Sequence, residues 1–282
     1  VRAGLDKGIF QKQEDTSVWI DLTNEGLDRK LLLRSDGTSV YITQDIGLAL
    51  QRYDEFTFDH MVYVVGDEQN YHFQVLFSIM KAMEEPYADQ LFHLSYGMVE
   101  LPTGKMKSRE GTVVDADDLI HEVITEARVG GEARGELASL SREEHDEVYR
   151  VIGLAALKYH MIKVAPKKKM IFDPKESVDM QGQTGPYIQN AFVRIQSILR
   201  REQSTLTDPF GLSEILTIAE IELIKLLDQY PDVVHEAAQT FDPSQIAHYL
   251  FALAKGLHRY YCLLYTSPSP RDRTRYRMPS SD

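Results

Sequence analysis

One cysteine, Cys262, stands in 282 residues. An internal disulfide needs two, and no CxxC pair or His/Cys cluster offers a structural zinc site, so both kinds of staple are excluded. A reducing, cytoplasmic setting is the expectation. Long apolar runs are lacking as well: none reaches the roughly 18 residues of a membrane-spanning helix, no charged-then-apolar leader opens the chain, and no membrane partner is expected. Basic residues are scarce, with 31 Lys and Arg against 43 Asp and Glu and a formal net charge of −12. Non-specific nucleic-acid binding depends on a broad surplus of Lys and Arg that displaces counterions. A general nucleic-acid coat and a DNA partner are thereby set aside, and any polyanion site must be local. Internal repeats are also missing.

What is present is an ordinary apolar fraction of 43%, enough for one large domain or two smaller ones. The first third alternates strands with helices. "SVWIDL" and "KLLLRS" have strand composition. "DGTSVYITQDIGLALQRYDEF" passes from a D-G turn through a β-branched run into a helix. "MVYVV", Met61 to Val65, reads as a strand covered on both faces of a parallel sheet. After it, Phe73, Leu76, Phe77, Met80 and Met83 recur at helical spacing. "LFHLSYGMVEL" is another strand, and "DADDLIHEVITEA" places Leu119, Ile120, Val123 and Ile124 on one helical face behind capping aspartates. From about Arg142 onward the strand signal vanishes, and "EEHDEVYRVIGLAALKYHMIKV", "GPYIQNAFVRIQSILRREQ", "LSEILTIAEIELIKLLDQY" and "PSQIAHYLFALAKGLHRYY" read as amphipathic helices. Pro166, Pro174, Gly182 and Gly185 mark a boundary between the halves. The closing "YTSPSPRDRTRYRMPSSD" carries three prolines and four arginines, breaks every periodicity, and reads as a non-native or disordered tail.

Three stretches carry chemistry. In an open parallel sheet, ligands sit beyond the carboxyl ends of strands, where helix N-termini offer free N–H groups. "VVGDEQNYHF" has that layout: Gly66 admits a ligand to the backbone, Asp67 caps the helix or accepts a hydroxyl, and Gln69 and His72 lie in the first turns. A plain capped turn explains the same residues. Tyr41 and Asp45 stand at i and i+4, on one side if the segment is helical. A carboxylate beside a tyrosine suits a planar cation such as a guanidinium, although an ordinary helix-start aspartate accounts for Asp45 equally well. "GKMKSREG" places Lys105, Lys107 and Arg109 on a loop between strand and helix, where they can close over a triphosphate. A solvated surface loop is the alternative.

Taken in order, "DGTSVYITQDIGLAL", "YVVGDEQNYHFQVLF", "HLSYGMV", "KMKSREG" and "QTGPYIQNAFVRIQSI" resemble segments of class I aminoacyl-tRNA synthetases, and specifically the arginyl-tRNA synthetases, over about residues 17–261. The resemblance implies an α/β fold: a partial Rossmann-like class I catalytic domain over 1–178 with its signature loop at 104–111, then a truncated all-α anticodon-binding helix bundle over 179–264, then the tail at 265–282. It implies arginine activation by ATP, with Mg²⁺ travelling as part of the ATP complex, and transfer to tRNA(Arg). Tyr41, Asp45 and Gln69 would hold the arginine. Gly66, Asp67 and His72 would lie near ATP, and Gly97, Met98 and Val99 would frame the adenine with backbone. Lys105, Lys107 and Arg109 would embrace the triphosphate. The signature's second lysine aligns with Ser108, which leaves open the basic residue that supplies its charge. The family's His-Ile-Gly-His-type turn is absent from the chain and lies upstream in the family, so the chain reads as the C-terminal portion of a longer protein, inactive by itself. Lys158, Lys163, Lys167, Lys168, Lys169, Arg194, Arg200 and Arg201 are the candidates for tRNA phosphates. Another class I synthetase, a non-catalytic tRNA-binding module and a nucleotidyltransferase remain alternatives.

Overall fold

The computed structural model describes residues 1–102, 115–134, 141–201 and 216–265. Two compact units are present: Val1–Met98 with Lys167–Lys169, and Val99–Pro166 with the chain from Met170 onward.

The first unit opens with a short helix α1 (Arg2–Asp6) and an antiparallel sheet of β1 (Gln11–Lys12), β2 (Val18–Ile20) and β3 (Lys30–Leu33) in that order. The expected D-G turn follows, with Gly37 at φ 81°, a left-handed conformation that glycine adopts without Cβ strain. Val40 is extended, and helix α2 runs Tyr41–Phe56. Its Ile42, Ile46 and Ala49 recur at helical spacing and are buried. Thr43 Oγ1 donates to the Leu32 carbonyl at 2.5 Å, tying α2 to β3.

Strand β4 (Met61–Gly66), helix α3 (Asn70–Ala82) and strand β5 (Leu91–Tyr96) form a βαβ unit whose two strands pair in parallel from Met61 with Leu91 to Gly66 with Tyr96. Helix α3 buries Phe73, Val75, Leu76, Ile79 and Met80, a wider stripe than spacing alone suggests. Phe73 packs on Tyr63 and on His93, with ring centroids 4.9 and 4.2 Å apart. The expectation that β4 is covered on both faces is not met. Tyr63 and Val65 face the core while Val64 is 63% exposed, because successive side chains alternate across a strand and only one face is packed among the described residues.

In the second unit, β6 (Val99–Glu100) pairs in parallel with β7 (Met170–Ile171). Strand structure therefore does not end at Arg142, and "LFHLSYGMVEL" is two strands rather than one. A two-residue strand is too short to show a period of two in sequence. Between them lie helices α4 (Ala116–Arg134) and α5 (Arg142–Ile162). They pack closely enough that a Cβ on Gly153 would lie 2.9 Å from the Ile124 Cα. Asp115 Oδ1 accepts from the Asp117 N–H at the start of α4, as the capping aspartates suggested. Helices α6 (Pro174–Ser177), α7 (Gly185–Arg201), α8 (Ile218–Asp228), α9 (Tyr230–Thr240) and α10 (Ser244–Tyr265) complete the unit. Helix α9 has no counterpart in the sequence reading. Pro231 in its first turn looks like a breaker, yet a first-turn proline gives up only an N–H that has no intrahelical partner. The tail beyond Tyr265 lies outside the described residues.

Candidate functional site

The parallel strands β4 and β5 both end at the same level, Gly66 opposite Tyr96. From there the chain enters a 3₁₀ turn, Asp67–Gln69, and then α3. Neither the turn nor the helix has a side-chain cap, so Asp67 does not serve as the capping residue of a plain βα turn. The turn runs directly into the helix, the Asn70 N–H donating to the Asp67 carbonyl, so the N–H groups without a helical partner are those of Asp67–Gln69, where the helix dipole adds partial positive charge.

Helix α2 brings a carboxylate to this point. Asp45 is the fifth residue of α2, beyond the reach of a capping role, and its Oδ2 lies 2.6 Å from His72 Nε2 in the first turn of α3. The carboxylate can only accept, so the imidazole donates from Nε2. Side-chain exposures of 39% for Asp45 and 28% for His72 leave the pair open to a ligand. With one oxygen engaged, Oδ1 keeps its acceptor capacity for a further donor.

Tyr41 shares the Asp45 side of α2 at i and i+4 and is 84% exposed. Gln69 precedes His72 by three residues and is exposed. Among the described residues neither Tyr41 nor Gln69 hydrogen-bonds through its side chain. The structure thus joins Asp45 to His72 directly and joins neither Tyr41 nor Gln69 to them by a side-chain hydrogen bond among the described residues. The Tyr63 hydroxyl is buried, with no hydrogen-bond partner among the described residues. Burial raises the Tyr63 phenol above its usual range, with Arg52 opposing and Asp45 adding to the shift.

At the end of β5, Tyr96 and Met98 are exposed and Gly97 is buried. A Cβ on Gly97 would lie 2.5 Å from the Lys168 carbonyl oxygen, so close backbone approach requires glycine here. Val99 begins β6. Lys105, Lys107 and Arg109 lie outside the described residues. Sequence reasoning gave Asp45 and His72 separate roles and missed their hydrogen bond, since 27 positions separate them.

Strand ends that meet an uncapped helix start, flanked by a carboxylate held on an imidazole, define an α/β catalytic domain of the kind that receives ligands at its strand ends. The sequence matches the family model described as tRNA synthetases class I (R), catalytic domain, over residues 3–173, and the DALR anticodon binding domain over residues 188–278. The chain belongs to the class I (R) tRNA synthetase family. It is 55% identical over 262 residues to the arginine–tRNA ligase of Flavobacterium psychrophilum, covering 93% of this chain and 43% of that protein. For the arginine–tRNA ligase of Parabacteroides distasonis the identity is 49% over 264 residues, with coverages of 93% and 44%. The chain spans less than half the length of these curated relatives. Among solved structures, Thermus thermophilus arginyl-tRNA synthetase superposes with a TM-score of 0.77 at 23% identity, covering 96% of this chain and 54% of that one. Arginyl-tRNA synthetase from Plasmodium falciparum gives 0.79 at 19%, covering 96% and 46%. At these identities the likeness is one of fold.

Proposed function

We propose that the protein to which this chain belongs activates arginine with ATP, releasing pyrophosphate, and transfers the arginyl group to tRNA(Arg). The observation that carries this reading is Asp45, whose Oδ2 is held by His72 and whose Oδ1 has no hydrogen-bond partner among the described residues. A guanidinium is charged at any accessible pH and offers a donor fork matched to a carboxylate. Tyr41 and Gln69 flank the pair and would complete the arginine pocket. His72 would orient the Asp45 carboxylate rather than contact the guanidinium.

ATP, with its Mg²⁺ as part of the substrate, would take the space beside the uncapped start of α3. Gly66, Asp67, Gly97, Met98 and Val99 would line it, and Lys105, Lys107 and Arg109 would meet the triphosphate. Neither step needs a protein nucleophile, so rate enhancement would come from placement and charge stabilisation. Residues 1–178 would form the catalytic portion and 179–264 the anticodon-binding portion, in a cytoplasmic enzyme.

Asp45→Ala in the full-length protein tests the reading. The expected result is a loss of arginine-dependent ATP–pyrophosphate exchange of about 100-fold or more in kcat/KM, the scale for removing a charged partner of a specific substrate group. Arginine dependence that survives the substitution unchanged removes Asp45 from the pocket. Retained tRNA binding with no exchange in the wild type favours a non-catalytic binding module.

A further inference from the structure

Helix α3 begins without a cap, yet it must hold His72 against Asp45. The 3₁₀ turn Asp67–Gln69 leads into it, with the Asn70 N–H donating to the Asp67 carbonyl, and any shift of this turn would swing the imidazole away, so contacts that tie it to neighbouring elements bear on the Asp45 contact. Two consecutive side chains reach out in directions about 100° apart, as neighbours on an α-helix do. His72 goes to Asp45 on α2. Tyr71 goes the other way, to the turn that leads into β3.

There the Tyr71 hydroxyl donates to Asp28 Oδ2 at 2.5 Å and accepts from the Asp28 backbone N–H at 3.2 Å. Lys30 Nζ stands 4.4 Å from the Tyr71 ring centroid and 3.5 Å from Asp28 Oδ2. The phenol is therefore closed at its oxygen in both directions and covered on its ring. Asp28 is 77% exposed, so the ionic part of this contact is screened. The directional part is the pair of hydrogen bonds. The Tyr71 hydroxyl, and then Lys30, hold the Asp28 carboxyl below its usual range, consistent with an engaged anion.

We propose that Tyr71 is a positioning residue: its clasp on Asp28 anchors the first turn of α3 on a second side, about 100° around the helix from His72, and thereby keeps the His72 imidazole on the Asp45 carboxylate. Tyr71 touches none of the candidate substrate groups and acts only through His72. The kinetic part of the test rests on the arginine-activation reading; the spectroscopic part does not.

In the ¹⁵N-labelled 282-residue chain, His72→Ala identifies the His72 Nε2–H signal by its disappearance. Tyr71→Phe keeps the ring under Lys30 and removes only the hydroxyl, and solvent exchange of the His72 Nε2–H should accelerate about fivefold, the equivalent of one ordinary hydrogen bond. Asp28→Asn retains an oxygen acceptor for the phenol and should stay near wild type, whereas Asp28→Ala should match Tyr71→Phe. Exchange unchanged in Tyr71→Phe, or no protected Nε2–H in the wild type, overturns the proposal. In the full-length protein, Tyr71→Phe should raise the arginine KM about fivefold with kcat and tRNA KM unchanged, and add nothing in a His72→Ala background. Fully additive effects overturn it as well. A wild type without arginine-dependent exchange sinks the arginine-activation reading and leaves the anchor to be decided by the exchange of the His72 proton.

Discussion

Helix α3 in the first unit and helix α5 in the second start in opposite ways. Helix α5 closes its own N-terminus: Ser141 Oγ accepts from the Glu144 N–H and Glu144 Oε2 accepts from the Ser141 N–H, a complete capping box. Helix α8 repeats the device with Thr217 and Glu220. Helix α3 has no cap and relies on partners far away in sequence, Asp28 and Asp45. A helix whose first turn is satisfied locally has nothing left to offer a ligand. Helix α3 instead continues a 3₁₀ turn that has no side-chain cap, so the N–H groups and partial positive charge left for an anion lie at Asp67–Gln69, and tertiary contacts place the turn that follows.

The glycines contrast as well. In the second unit a Cβ on Gly185 would press on backbone, 2.3 Å from the Ala155 carbonyl oxygen, as one on Gly97 of the first unit would on Lys168. Gly47, on the helix that carries Asp45, has nothing within 4 Å of such a Cβ. The largest test of the comparison is therefore Gly185→Ala, expected to destabilise by about 3 kcal/mol in denaturant unfolding, since backbone cannot move aside as a flexible side chain can. A neutral result would mean that helix packing in the second unit is looser than the structure has it. Gly47→Ala should do the reverse, adding about 1 kcal/mol by removing an unhindered glycine from an exposed helix position. A loss of stability there would show that the open side of α2 is packed against something in solution.

The smallest effect concerns pH. His160 on α5 is buried, its Nε2 lies 3.2 Å from the Ile171 carbonyl oxygen, and its Nδ1 has no partner among the described residues. Burial lowers its pKa below 6.5, with the Lys163 charge adding to the shift and Asp173 and Glu176 opposing it. The unfolded chain then binds more protons than the folded one as pH falls below 6.5, so stability declines on the acid side. His258, also held low chiefly by burial, contributes in the same sense. His160→Gln, whose amide can still donate to Ile171, should flatten the fall in melting temperature between about pH 6.5 and 5 relative to wild type. An equally steep profile would exclude His160 as a contributor.

Period and composition were enough to find the βαβ unit, α2, and the helices from Arg142, because a 3.6-residue stripe over four turns is a property of the local chain. They could not reveal β6 and β7, which are two residues each and exist only because each has the other to pair with. Nor could they reveal α9, whose opening proline is harmless only once its place in the first turn is known. At the site, side-chain chemistry alone marked Tyr41 and Asp45 as suited to a planar cation, while the roles of Gln69 and His72 came from the resemblance to the family. Which of them touch was decided by the packing of α2 against α3, a contact between positions 27 apart that no local pattern encodes. The anchor through Tyr71 and Asp28 spans 43 positions and is equally a product of tertiary structure: hydrogen bonds need angstrom-scale alignment, and only the folded chain supplies it.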